Sequence, residues 1–141
     1  CAAAATLQIE YTLPNISQSV IITRAPGRTA VPDRESIQSY ARHKSTMVIF
    51  LSTSLVKELQ TELLAGGYSG DTPAAVVYKA SWQQEKKMIC TVATLCKTVE
   101  EAGIKNSALM IIGDCVTHKN YMKSKLYDET FSTEFRKAKI N

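Results

Sequence analysis

The 141-residue chain lacks most patterns that announce a chemistry. Its four cysteines, Cys1, Cys90, Cys96 and Cys115, form no Cys-x-x-Cys pair, and its two histidines, His43 and His118, fall in no cluster with metal-ligand spacing. That argues against a zinc site, so no metal is expected, and the thiols read as buried small hydrophobes of a reduced, cytoplasmic chain. There is no Gly-x-Gly-x-x-Gly and no Walker loop, hence no self-sufficient nucleotide site. Ser81 has no neighbouring histidine, and neither histidine sits in a recognisable nucleophile–base motif, so no catalytic residue can be named. No apolar run approaches the roughly 20 residues of a membrane span. The apolar start has no basic leader, which argues against a secretory signal. Lysine and arginine outnumber aspartate and glutamate 17 to 13, a net charge of +4. This excess is too mild and dispersed for a nucleic-acid binder, but it favours an anionic ligand over a cationic one.

What is present is an ordinary soluble composition, 45% hydrophobic and 21% charged, in a chain about one domain long. The pattern alternates strand and helix. Residues 18–23, 47–51, 74–78, 88–92 and 106–112 read as five strands. Helices are expected over residues 2–10, over 33–42 with Asp33 as N-cap, from Ser52 or Thr53 to Gly66-Gly67, and over 93–102 with Gly103 as the stop. About seven residues separate strands three and four, too few for a crossover helix, so those two should pair antiparallel. The expected fold is therefore α/β, a mixed sheet of about five strands with flanking helices.

Strand three is an apolar run that should be buried on both faces. It delivers Lys79, Ala80, Ser81 and Trp82, the only tryptophan, to a polar turn. The turn is either a surface feature with a packing tryptophan or a ligand wall, since ligands of open α/β sheets gather at strand carboxyl ends. By the same logic the loop after strand one, with two prolines, a glycine, Arg24 and Arg28, offers either solvated charges or guanidinium groups for an anion. Gly113-Asp114 closes strand five at another carboxyl end, where Asp114 caps the next segment or faces a ligand. Residues 117–141 form a basic, aromatic tail. It reads either as a docking helix with Tyr127, Phe131 and Phe135 on one face or as a surface for single-stranded nucleic acid.

Four stretches carry a family resemblance: Thr23-Arg-Ala-Pro-Gly-Arg-Thr-Ala-Val-Pro32, Phe50-Leu-Ser52, Val76-Val-Tyr-Lys-Ala-Ser-Trp82, and Ser124-Lys-Leu-Tyr-Asp-Glu-Thr-Phe131 followed by Phe135-Arg136. Together they resemble the carboxyl-terminal half of tetrapyrrole methylases, in the branch that methylates (cobalt-)precorrin-4 at carbon 11 during cobalamin synthesis. The resemblance runs over essentially the whole chain. It implies a two-domain enzyme, homodimeric at full length, using S-adenosylmethionine held in the cleft between domains. Residues 1–141 would be the carboxyl-terminal domain. The start, Cys1 and four alanines with no helix cap, is expected to be a cut inside or just before a helix, and the fragment alone is expected to be inactive. The family pattern places the adenosine against Leu51, Ala80, Ala108 and Leu109. Arg24, Arg28, Lys79 and Trp82 are the candidates for the carboxylate-rich corrinoid substrate. No membrane and no nucleic-acid partner is implied. One departure is Thr133, where relatives carry a histidine, so any role of that histidine does not transfer. The competing reading is a non-enzymatic α/β module that binds a partner chain or RNA through its tail.

Overall fold

The structure is a computed structural model and describes residues 1–51, 53–106, 108–118 and 132. Five strands form one sheet in the order β1-β2-β5-β3-β4: β1 Val20–Arg24, β2 Thr46–Leu51, β3 Pro73–Tyr78, β4 Lys86–Thr91 and β5 Ala108–Ile112. β1 and β2 are parallel, and the β2–β5, β5–β3 and β3–β4 pairs are antiparallel. The expected mixed five-stranded sheet is thus present. So is the β3–β4 hairpin, whose ladder runs from Tyr78 opposite Lys86 to Pro73 opposite Thr91 and leaves residues 79–85 as its connection.

Alternate residues of the central strands feed two separate cores, as the two-residue period of a pleated strand requires. Met47, Ile49, Ala74, Val76, Met110 and Ile112 face three helices, α2 Ile37–Ala41, α3 Val56–Ala65 and α4 Leu95–Glu101. Val48, Ala75, Val77 and Ile111 face the other way, toward the short amino-terminal helix α1 Ala2–Leu7, Leu13, Cys115 and Val116. Covered on both sides, residues 74–77 of β3 are all at most 2% exposed. Their unbroken hydrophobicity follows from that position.

Helix boundaries differ from the sequence expectations for local reasons. α1 stops at Leu7 because Gln8 turns left-handed (φ 56°). Asp33 does not cap α2. It opens a single 3-10 turn, Asp33–Glu35, and Ser36 is the cap, its hydroxyl accepting from the Ser39 N–H at 3.1 Å. A 3-10 turn, Thr53–Leu55, also precedes α3, whose Leu59 and Leu63 are buried while Leu55 is partly so. α3 ends where Gly67 takes φ 111°. Its neighbour Gly66 is needed for a different reason: a Cβ there would lie 2.6 Å from the Gln38 carbonyl oxygen and closer still to the Cβ of Ala41, so α3 meets α2 through a bare backbone. Thr91 and Thr94 make a reciprocal capping box ahead of α4, which Gly103 (φ 64°) terminates. The cysteine expectation holds only for Cys115: Cys90 and Cys96 are half-buried and Cys1 is exposed. Apart from residues 117, 118 and 132, the expected tail lies outside the described residues.

Candidate functional site

Strand direction decides where a site can form. Because β5 runs antiparallel to both β2 and β3, its start lies beside their ends: Leu51 is opposite Ala108, Phe50 and Val77 are both opposite Leu109, and Arg24 is opposite Phe50. The carboxyl ends of β1, β2 and β3 and the amino end of β5 therefore share one edge. The same geometry corrects the expectation for Gly113-Asp114. The end of β5 lies at the opposite edge, where the Gly113 N–H donates to the carbonyl of Pro73 at the start of β3 (3.0 Å), and Asp114 opens a 3-10 turn.

On the shared edge lies a cavity of about 650 Å³, a size ordinary for a small-molecule or cofactor site. Val77, Ala80, Ala108 and Leu109 give it an apolar floor, with Phe50 and Leu55 beside them. The first residues of the chain, Cys1 to Ala3, line it as well, and the loop after β1 contributes Gly27 and Thr29. Arg24, Arg28 and Lys79 bring three cations to this lining, whose described residues include no carboxylate side chain. The Arg24 guanidinium donates to the Thr29 carbonyl at 3.4 Å, within its own loop. At this edge the sheet also opens. The β3–β5 ladder stops at Val77 opposite Leu109, while β2–β5 continues to Leu51 opposite Ala108.

The β3–β4 turn shapes one wall. Lys79 (φ 49°) and Ser81 (φ 69°) are both left-handed without being glycine, a conformation other side chains adopt at a cost. It reverses the chain on either side of Ala80, and a string of turn bonds, Trp82 N–H to the Lys79 carbonyl and Glu85 N–H to the Trp82 carbonyl, both 3.0 Å, completes it. The Lys79 ammonium lies 5.4 Å from the centre of the Tyr78 ring and 5.9 Å from that of Trp82, within cation–π reach of both. The Asn106 amide donates to the Tyr78 hydroxyl at 3.3 Å and, with the Lys79 charge nearby, holds that phenol below its ordinary value.

Of the eight candidate residues, Arg24, Arg28, Lys79, Ala80, Ala108 and Leu109 line this one cavity, and the Leu51 backbone pairs with Ala108 at its floor. Trp82 does not line it. The residue is 66% exposed, beside Ser81, Gln83 and Gln84, so among the described residues it plugs no neighbouring element. Sequence reasoning missed Phe50, Val77 and the α1 wall, which depend on which strands become neighbours. Among the described residues no group of three or more His, Cys, Asp or Glu side chains could hold a metal ion, and no helix is long and apolar enough to cross a membrane.

Strand ends gathered around an apolar floor with a cationic rim make an α/β domain of the kind whose ligands sit at strand carboxyl ends. The chain belongs to the tetrapyrrole (corrin/porphyrin) methylases, whose family model matches residues 1–96. It is similar to the cobalt-precorrin-4 C(11)-methyltransferase of Methanocaldococcus jannaschii, 47% identical over 97% of this chain and 53% of the relative. The protein of that name from Priestia megaterium is 44% identical over 97% and 54%. Among solved structures, the cobalt-precorrin-4 methyltransferase CbiF superposes with a TM-score of 0.80 at 42% identity, covering 83% of this chain and 49% of that one. Uroporphyrin III C-methyltransferase from Thermus thermophilus, at 19% identity and a TM-score of 0.64, shares the fold. The chain spans about half the length of the curated relatives it matches.

Proposed function

We propose that this chain is the carboxyl-terminal domain of an S-adenosylmethionine-dependent methyltransferase that methylates (cobalt-)precorrin-4 at carbon 11 in cobalamin synthesis, and that it supplies one half of the cofactor and substrate cleft. The observation that carries the reading is the cavity at the shared sheet edge, apolar in its floor and cationic at its rim. The relatives named for this reaction at 47% and 44% identity support it.

The residues fit the cofactor in kind. Ala80, Ala108 and Leu109 offer the flat apolar surface an adenine ring requires, and the opened β3–β5 edge leaves room for hydrogen bonding by backbone rather than by charged side chains. When bound, the sulfonium supplies an electrophilic methyl group. That chemistry would need the accepting ring carbon held in line with the sulfur–methyl bond. The protein's part is alignment of the two reactants and exclusion of water. Arg24, Arg28 and Lys79, with no carboxylate among the described residues of the cavity lining, suit the acidic side chains of a corrinoid, and guanidinium groups can hold a carboxylate through two parallel bonds. Trp82, outside the cavity and stacked near Lys79, would meet only a substrate that extends past the rim.

The encoded protein is further expected to be a homodimer, and residues 1–141 alone to be inactive. Titration calorimetry with S-adenosylhomocysteine tests the proposal together with a methylation assay on precorrin-4 and its cobalt form. Micromolar binding and the gain of one methyl group at carbon 11 are expected. Full turnover by the isolated 141-residue chain would refute the half-site, and absence of both binding and transfer by the encoded protein would refute the activity.

A further inference from the structure

Glu85 lies outside the cavity lining, yet it joins two of the cavity's walls. One carboxylate oxygen, Oε2, accepts the backbone N–H of Ser81 at 2.6 Å and the hydroxyl of Thr6 at 3.0 Å. Ser81 follows Lys79 and Ala80, which line the cavity on the β3 side. Thr6 belongs to α1, the helix whose other end, Cys1 to Ala3, lines it from across. The Lys87 ammonium adds a second tie to the same helix turn, donating to the Thr6 carbonyl at 3.0 Å. The tie falls on the last turn of α1, which ends in a left-handed Gln8. The turn at the other end of the tie is itself strained, since Lys79 and Ser81 both hold positive φ without being glycine.

We propose that Glu85 is a positioning residue: its carboxylate clamps the Lys79–Ser81 turn to α1 and thereby sets the spacing of the two cavity walls. The inference rests on the reading of the cavity as a cofactor and substrate site. An ionised carboxylate suits this task better than an amide, because one oxygen can accept two donors and bonds to a charged acceptor are the stronger kind. The carboxyl is held below its ordinary value chiefly by the Ser81 N–H and next by the Thr6 hydroxyl, which agrees with an ionised clamp.

The test uses the encoded protein and the variants Glu85→Ala, Glu85→Gln, Thr6→Ala and the double variant Thr6→Ala/Glu85→Ala. Hydrogen exchange is followed in peptides covering residues 4–9 and 79–85, and calorimetry measures S-adenosylhomocysteine affinity. Removing either partner should speed exchange in both segments together, and the double variant should be no faster than Glu85→Ala alone. Affinity should fall about tenfold in Glu85→Ala, the loss expected for one charge-assisted bond, with partial recovery in Glu85→Gln, whose amide oxygen can still accept from Ser81. Faster exchange at 79–85 with residues 4–9 unchanged would overturn the clamp. So would looser walls with unchanged affinity. If the unsubstituted protein binds no S-adenosylhomocysteine, the methyltransferase reading fails, while the exchange data still decide whether Glu85 couples the two segments.

Discussion

Leu51, the last residue of β2, lies directly opposite Ala108, the first residue of β5. An end and a start meet because the two strands are antiparallel. The next pair inward sets Leu109 against both Phe50 and Val77, at the cavity floor. Leu109 is half-buried and Ala108 nearly fully buried, so trimming Leu109 bares the ligand's apolar face with less damage to the core. Leu109→Ala should weaken S-adenosylhomocysteine binding by about tenfold, because the shortened side chain no longer supplies roughly 1–2 kcal/mol of apolar burial. Calorimetry on the encoded protein reads this directly. An unchanged affinity would place the adenosine elsewhere.

The arginines make a different prediction. Arg24 and Arg28 sit on the β1 side of the cavity, in a lining with no carboxylate among its described residues. On the proposed function their targets are substrate carboxylates. Arg24→Ala and Arg28→Ala should each raise KM for precorrin-4 by about tenfold while leaving S-adenosylhomocysteine affinity within about twofold, the cost of removing one guanidinium–carboxylate pair in a partly open site. Salt should raise KM less steeply in these variants than in the parent, because exposed charge pairs are screened. Loss of cofactor binding instead would reassign the two side chains to the cofactor.

These two groups show what the sequence could and could not disclose. The five strands, the β3–β4 hairpin and the buried character of residues 74–77 were legible because hydrophobic runs and connection lengths are local properties. Arg24, Arg28, Lys79 and Ala80 were accessible by placing ligands at strand carboxyl ends. Ala108 and Leu109 were not accessible by that rule and came only through the family resemblance. Their place at the edge depends on β5 inserting antiparallel between β2 and β3, a non-local pairing that no run of residues encodes. Asp114 illustrates the converse, since it does follow a strand's carboxyl end, but that end lies on the edge away from the cavity. The role of Asp33 failed for a smaller reason: Ser36, three residues on, competes for the same cap and has the hydroxyl placed to accept from Ser39.

Gly66 carries a stability prediction independent of function. Its φ of −74° is open to any residue, so the constraint is space alone. An alanine methyl there would meet the Gln38 carbonyl and the Ala41 side chain, both on the facing helix α2. Gly66→Ala should cost about 1–3 kcal/mol, the usual range for overpacking, and should separate α3 from α2. Gly27→Ala is the matched control, because a Cβ there meets nothing within 4 Å. Denaturant unfolding of the two variants should show a lowered midpoint for the first and a nearly unchanged one for the second. Equal midpoints would mean that α2 yields without cost.

Tyr68 should contribute to the loss of stability at alkaline pH. Its hydroxyl donates to the Ser45 carbonyl just before β2, and only 6% of the residue is exposed. Burial is the main cause pushing the phenol well above its ordinary 10.0, and the nearby Cys115 and Asp114 add to the shift. A raised folded pKa means that the native state keeps a proton which the unfolded chain releases first. The associated stability is complete below pH 10 and declines as pH climbs from there toward the folded value. Tyr68→Phe should be less stable near neutrality by about 1 kcal/mol, since the Ser45 carbonyl loses its donor, yet its stability should fall less steeply above about pH 10. The slope should shrink rather than vanish, because Tyr11 and Cys115 are also pushed up by burial. Melting temperatures of both proteins from neutral to strongly alkaline pH decide the matter: parallel curves would show that Tyr68 does not carry the alkaline transition, and converging curves that it does.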